Sequence, residues 1–266
     1  MKKKYTLLIT SCDKFSDTWQ PLFTLFKKYW KDPSLEILLI TEKLKYCNKD
    51  FIVESTQISR ETNKRFSWSE TLIEAIKCIE NDIILLYMDD YFLQSKVAVD
   101  KIDLYANYMF ENEKIDVIYL HEKGPVNCIN DDKYEDLLRV KKTSDYKVSM
   151  MAGLWRKSVL LNLLREEENA WMFELYGTKR AQRLDLLMYR VSDSNSAPLN
   201  YVYTGIIKGK WNAKVVDLFS ANNIIIDYRL RGFYKSKLKI YSKLLTFMKL
   251  LRDPIRFCKY YLNFLL

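Results

Sequence analysis

Two rhythms of apolar residues alternate through the first half of the chain. Tyr5–Thr10 is a short apolar run that predicts a strand, closed by the polar turn Ser11-Cys12-Asp13-Lys14. Trp19, Leu22, Phe23, Leu25, Phe26 and Trp30 then recur at helical spacing until Pro33 stops the helix. Leu35–Thr41 predicts a second strand and Phe51–Glu54 a weaker third. Ser67 or Ser69 caps a helix running to Ile79, with Glu70 in its first turn. The run Ile83-Ile84-Leu85-Leu86-Tyr87-Met88 has no polar side, which marks a strand buried on both faces. A helix from Val97 to Glu111 and a strand over Asp116–His121 complete the alternation. Strands separated by helix-length crossovers predict a parallel, Rossmann-like α/β half.

The second half is less regular. Gly124–Asp145 is polar and reads as a loop or variable insert, whereas Tyr146–Met151 alternates like a strand. Arg156–Arg165 reads as a helix, Asp193–Pro198 as a turn-rich loop, Tyr201–Ile207 as a strand and Asn212–Asn222 as a helix. From about Arg231 the character changes. Tyr234, Leu238, Tyr241, Leu244, Leu245, Met248 and Leu251 fall on one helical arc, opposite Lys235, Lys239, Lys243 and Lys249. The division predicted is a body over 1–230 and a basic amphipathic tail over 231–266.

Charge sharpens that division. The net charge is +9, and from Arg231 onward nine basic residues face one acid, so the body is nearly neutral. An apolar face, a lysine face and interfacial tyrosines are what a helix lying on an anionic membrane surface needs. The run after Met1-Lys2-Lys3-Lys4 is too short for a signal peptide, and no apolar stretch approaches the ~18 residues that span a bilayer. The five cysteines form no CxxC pair, so neither a disulfide framework nor a zinc site is expected, which suits a reducing cytoplasm. With six glycines in all, no GxGxxG or GxxxxGK[ST] phosphate loop occurs.

Candidate chemistry gathers where Ile83–Met88 runs into Asp89-Asp90. Open α/β sheets bind ligands beyond the carboxyl ends of their strands, and adjacent carboxylates at such an end are costly unless a cation or a ligand compensates them. Hard divalent ions such as Mg²⁺ or Mn²⁺ suit two carboxylates. Trp171-Met172-Phe173-Glu174 places a glutamate after aromatics, where burial would raise its pKa toward that of a general base; Asp185 is the second choice for that base. Ile206-Ile207-Lys208-Gly209-Lys210-Trp211 sets two lysines around a glycine. His121, the single histidine, stands at a strand end, where it reads as structural or as a late metal ligand.

The order Thr10-Ser11-Cys12-Asp13, Trp68-Ser69 and Leu86-Tyr87-Met88-Asp89-Asp90-Tyr91, followed by Gly153-Leu154-Trp155-Arg156 and Trp171-Met172-Phe173-Glu174, resembles bacterial GT-A-fold glycosyltransferases of surface-polysaccharide (capsule, O-antigen or lipopolysaccharide) biosynthesis. The resemblance covers roughly residues 4–220. It implies a Rossmann-like nucleotide-diphospho-sugar transferase fold with a mixed central sheet, and transfer of a sugar from a nucleoside diphosphate donor to a glycan or lipid-linked acceptor. In such enzymes the acidic motif binds Mn²⁺ or Mg²⁺ and the diphosphate, which assigns that role to Asp89 and Asp90. Ser11 and Asp13 would contact the nucleoside. Trp68 and Tyr91 read either as core aromatics, the commoner case at such spacing, or as rings that stack on a base or sugar. The usual motif is Asp-any-Asp, and Tyr91 stands at its third position, so Arg180, Lys208 or Lys210 offers an alternative neutraliser of the diphosphate. The tail would hold the protein on the cytoplasmic face of the membrane.

Two other readings compete. Tyr87-Met88-Asp89-Asp90 also reproduces a reverse-transcriptase tetrapeptide, but a polymerase needs a further acidic strand and spread basic grooves, and the body is nearly neutral; no nucleic-acid partner is expected. The other is a non-catalytic nucleotide- or glycan-binding module docked at the membrane.

Overall fold

The structure is a computed structural model that describes residues 3–62 and 64–235. The predicted tail helix and its membrane-facing arc lie outside the described residues from 236 onward.

Six apolar runs pair side by side as parallel strands: β1 (Tyr5–Thr10), β2 (Ile37–Leu39), β3 (Val53–Ser55), β4 (Ile83–Met88), then β6 (Ile115–Tyr119) and β10 (Leu187–Val191). β5 (Phe92–Leu93) lies outside this sheet, paired with β11 (Tyr201–Val202). β9 (Gly153–Arg156) runs antiparallel between β4 and β6, and β7 (Cys128–Asn130) and β8 (Leu137–Val140) extend the edge beyond β10. The order is β3-β2-β1-β4-β9-β6-β10-β8-β7, a mixed sheet of nine strands. This is the mixed α/β architecture expected from the sequence.

Alternate strand residues face opposite layers. Leu8, Leu38, Ile84, Leu86 and Trp155 join a buried cluster with α2 (Trp68–Lys77), α4 (Lys157–Leu163) and α5 (Ala170–Arg183). On the other face, the Tyr87 ring meets Phe26 and Trp30 at the end of α1 (Trp19–Tyr29), with ring centroids 5.6 and 6.2 Å away. α3 (Val99–Glu111) buries Ile102, Tyr105 and Met109 beside β6 and β9. β4 is therefore covered on both sides, and each large apolar side chain removed from water there contributes about 1.5–3 kcal/mol. α6 (Val215–Ser220) adds Val215 and Phe219 to the buried set. Of the two candidate caps for α2, Ser67 is the one used, in a reciprocal capping box with Glu70.

Three expectations for the second half are corrected. Tyr201–Ile207 is not one strand: β11 ends at Val202, and Ile206–Ile207 is a separate two-residue strand with another partner. Gly124–Asp145 is not one loop: it carries β7 and β8, whose backbone pairing and the buried Leu137 and Val140 outweigh their polar neighbours. Tyr146–Met151 is not a strand. Val148, Met150 and Met151 are buried, but five successive amides find side-chain acceptors instead of a neighbouring strand. Val148 N–H donates to Thr178 Oγ1 (3.0 Å), Ser149 to Tyr119 Oη (3.0 Å) and Met150 to Glu174 Oε1 (2.7 Å), while Met151 donates to Ser149 Oγ (3.3 Å) and Ala152 to Tyr201 Oη (3.2 Å). Buried amides must be paired, and here the side chains do it.

The chain divides into two units: residues up to 205 with 214–226, and a smaller one of 206–213 with the chain from 227. In the smaller unit β12 (Ile206–Ile207) and β13 (Lys210–Trp211) form a hairpin. Lys208 and Gly209 both have positive φ (52° and 77°), as a two-residue turn of type I′ requires. Trp211 N–H donates to Gly232 O and its carbonyl accepts from Tyr234, closing the unit on itself.

Candidate active site

Every parallel strand of the sheet points its carboxyl end to the same edge. Beyond β1 there, Ser11 hydrogen-bonds through its hydroxyl to the Asp89 carboxylate just past β4, and Ser11 Oγ in turn accepts from the Trp19 indole at 2.7 Å. Asp89 is thereby tied into the first turn. Asp13 accepts three backbone N–H groups of the segment after β2, from Glu42, Lys43 and Leu44, at 2.8–3.1 Å. Its carboxylate shapes the cleft from below and holds the neighbouring loop.

That loop lines a cavity of about 260 Å³ bounded by Asp13, Glu42, Lys43, Ser59, Thr62, Lys64 and Arg65. The cavity lies beyond the carboxyl ends of β1, β2 and β3, where a doubly wound sheet takes its ligand. Three basic side chains bring positive charge to it. Lys64 also pairs with Glu70 at 2.8 Å, so the same capping box that starts α2 steadies one wall. The sequence reading missed these three bases; their only signal is that Lys64 and Arg65 immediately precede a capped helix.

Asp90 is held from the other side. The Thr204 hydroxyl donates to its carboxylate, and Gly205 N–H donates to its carbonyl at 2.9 Å. The peptide Tyr203-Thr204 is cis. A Cβ on Gly205 would lie 2.3 Å from the Phe92 ring and 2.8 Å from Asp90 O, so only glycine allows the segment this close. Both acidic residues are 4% exposed.

Glu174 approaches the same edge from the amino-terminal half of α5. Burial pushes its carboxyl above the ordinary carboxylate range, against the opposing pull of the Met150 amide and the Ser149 hydroxyl. Burial raises the Tyr203 phenol first, and the nearby Glu174 and Asp90 raise it further. Beneath lies a stack of buried tyrosines. Tyr91 lies flat on Tyr201 with centroids 4.4 Å apart, and its hydroxyl donates to Met150 O at 3.2 Å.

The remaining sequence candidates have surroundings of their own. Tyr91 is a core residue, 3% exposed, so it has no free face for a base. Trp68 is half-buried and packs on Phe173 at 5.8 Å. Arg180 forms a two-pronged pair with Glu168, at 2.8 and 2.6 Å. Asp185 stands before β10, at the opposite edge of the sheet, exposed and 3.4 Å from Lys142. Lys208 and Lys210 are exposed on the hairpin of the smaller unit. His121 is buried against Tyr201, and burial lowers its pKa while Glu122 opposes that.

Mg²⁺ or Mn²⁺ takes about six oxygen ligands. Among the described residues no group of three or more His, Cys, Asp or Glu converges. Asp89 and Asp90 each accept from a hydroxyl. Such an ion is commonly held by one or two carboxylates, with waters and substrate phosphates completing its shell, so Asp89 and Asp90 would suffice as its protein ligands. Among the described residues no third carboxylate joins Asp89 and Asp90, as the polymerase reading would need. Among the described residues no helix is long and apolar enough to cross a membrane.

No family model and no curated protein matches the chain. Among solved structures it is similar to residues 1–349 of S. aureus TarS (15% identity, 73% of this chain and 59% of that one, TM-score 0.46). It is likewise similar to glucosyl-3-phosphoglycerate synthase from Mycobacterium tuberculosis (12%, 88% and 82%, 0.46). A third likeness is to the mannosyltransferase PcManGT from Pyrobaculum calidifontis in complex with GDP-Man and Mn²⁺ (9%, 79% and 59%, 0.49). The chain thus spans 59% of the TarS chain it matches. At such identities the likeness concerns the fold, which rests here on the sheet order itself.

Proposed function

We propose that this protein is a glycosyltransferase that moves a sugar from a nucleoside diphosphate to a hydroxyl group of an acceptor. The observation that carries the reading is a division of labour along one sheet edge. A cavity lined by Lys43, Lys64 and Arg65 together with Asp13 and Glu42 lies beyond β1–β3, a pair of hydroxyl-held acids beyond β4, and a carboxyl of raised pKa on α5. Lys43, Lys64 and Arg65 bind and neutralise the diphosphate, as charge-assisted hydrogen bonds to phosphate do. Asp13 holds the loop that carries Lys43, and Ser11, fixed by Trp19 and Asp89, meets the nucleoside. Glu174 takes the proton of the acceptor hydroxyl. The oxygen so freed attacks the anomeric carbon from the face opposite the diphosphate. A new glycosidic C–O bond forms, and the bond to phosphate breaks with its electron pair leaving on the diphosphate. Such a displacement inverts the anomeric centre, as when water is the nucleophile.

A thermal-shift panel of UDP, GDP, CDP, dTDP and CMP, with and without Mn²⁺, tests this on the wild type and on Asp90→Ala. Stabilisation by one nucleotide, weakened in Asp90→Ala, is expected, and a larger shift with Mn²⁺ would assign the ion to Asp89 and Asp90. No shift with any nucleotide overturns the reading. A nucleotide shift without turnover of any sugar nucleotide would instead favour the binding-module alternative.

The basic tail is proposed to hold the protein on an anionic membrane surface, where a lipid-linked acceptor of surface-polysaccharide synthesis would be met. Its support is the charge and apolar pattern of residues 231–266. Removing residues 236–266 should abolish co-sedimentation with phosphatidylglycerol vesicles, and equal sedimentation of both proteins would sink the proposal.

A further inference from the structure

Large aromatic side chains left in water are informative when they surround a reactive group rather than standing alone. Trp171 is 62% exposed and Tyr203 is 51% exposed. Trp171 and Glu174 are three residues apart on α5 and so share a face, one turn from each other. Tyr203 reaches the same carboxylate through Tyr91, whose hydroxyl donates to Met150 O while Met150 N–H donates to Glu174. The Tyr203 ring rests on the buried Tyr91 at 5.9 Å, and the next two residues are tied to Asp90 by the Thr204 hydroxyl and the Gly205 amide. An exposed ring backed by a core residue and pinned by its neighbours is a rigid wall.

The half-buried carboxylate beside these rings fixes the chemistry of what enters. A pyranose has an apolar face of axial C–H bonds that covers an aromatic ring, and an equatorial rim of hydroxyls that donate to carboxylates. A free phosphate ester offers no such pairing, and an anion would meet Glu174 and Asp90 unfavourably.

We propose that Tyr203 and Trp171 form the walls of an acceptor subsite that receives a pyranose ring and turns one of its hydroxyls toward Glu174. The proposal rests on the glycosyl-transfer reading and deepens it: the acceptor end is a saccharide, and Tyr203 is the residue that selects it.

Saturation-transfer NMR with methyl β-D-glucopyranoside, methyl β-D-galactopyranoside, methyl N-acetyl-β-D-glucosaminide and maltotriose tests it, with D-3-phosphoglycerate as the anionic control. Ring C–H protons of at least one saccharide should be saturated by the wild type and by Tyr203→Phe, which keeps the ring. The signal should fall about fivefold in Tyr203→Ala and in Trp171→Ala, the scale of one lost aromatic contact. Unchanged signals in both alanine variants would overturn the subsite. So would a wild type that binds a nucleotide but saturates none of the saccharides, or that saturates only phosphoglycerate. The nucleotide panel on the same samples separates the two readings. Saccharide binding lost in Tyr203→Ala, with no response to any nucleotide, would leave the subsite standing and remove the transferase.

Discussion

The two edges of the central sheet each bury carboxylates, and they treat them in opposite ways. At the amino-terminal edge Lys3 reaches Asp32 at 2.8 Å and Asp103 at 2.6 Å. Burial alone would raise the Asp32 carboxyl, but hydrogen bonds from Lys3 and Ser34 outweigh it and hold it low. Burial alone would lower the Lys3 ammonium, and the two aspartates outweigh that as well. At the carboxyl edge Glu174 has a neutral amide and a neutral hydroxyl as partners, and burial prevails. A cation supplied by the fold closes the first cluster into a structural tie. Neutral donors leave the second with a proton affinity suited to chemistry.

The sharpest way to break this contrast is Glu174→Gln. The amide keeps an acceptor oxygen for Met150 N–H but takes no proton, so sugar transfer should fall by about a hundredfold or more while the fold persists. If Glu174 served only to pair that buried amide, the variant would keep full activity in a transfer assay. Next in size is Lys3→Met at the opposite edge. Leaving Asp32 buried without its cation should cost about 3 kcal/mol, read as a lowered midpoint of urea unfolding with nucleotide binding unchanged. Because Asp32 is depressed, its contribution is present above the ordinary aspartate pKa of about 3.9 and is lost as pH falls through its folded value; the raised Lys3 loses its own only above the ordinary lysine value. The smallest effect has the opposite sign. Glu174 is raised, so the native state loses stability as pH climbs from the ordinary glutamate value through the folded one. Glu174→Gln should therefore be slightly more stable than the wild type at pH 8, and the gain should vanish near pH 4.

The fold was legible wherever burial on two faces left an unbroken apolar run, as in β1 and β4, or where an amphipathic stripe met a cap, as at Ser67. It was illegible where backbone pairing came from long range. β7 and β8 pass for a polar loop because β10, some 50 residues later, supplies their partner edge. The run 148–152 passes for a strand because side chains from three distant elements satisfy its amides, and no local rhythm records that. Site chemistry followed the same rule. Asp89, Asp90 and Glu174 announced themselves as acids placed against apolar neighbours. Thr204 and Gly205 were invisible, since what matters is a close approach to Phe92 and Asp90 across more than a hundred residues. Arg180 and Asp185 looked available because a sequence does not show that Glu168 or Lys142 answers them.

The reversed direction of β9 has a consequence for how such a protein can change. The chain enters β9 from the edge that carries Asp89 and Asp90, so residues 148–152 lie there together with the stretches that follow β1, β2 and β3. Side chains such as Thr178 and Tyr201, and no strand partner, hold the amides of 148–152. Exchanges at those positions would reshape one wall of that edge and leave the register of every strand intact. The wall can thus be retuned one side chain at a time.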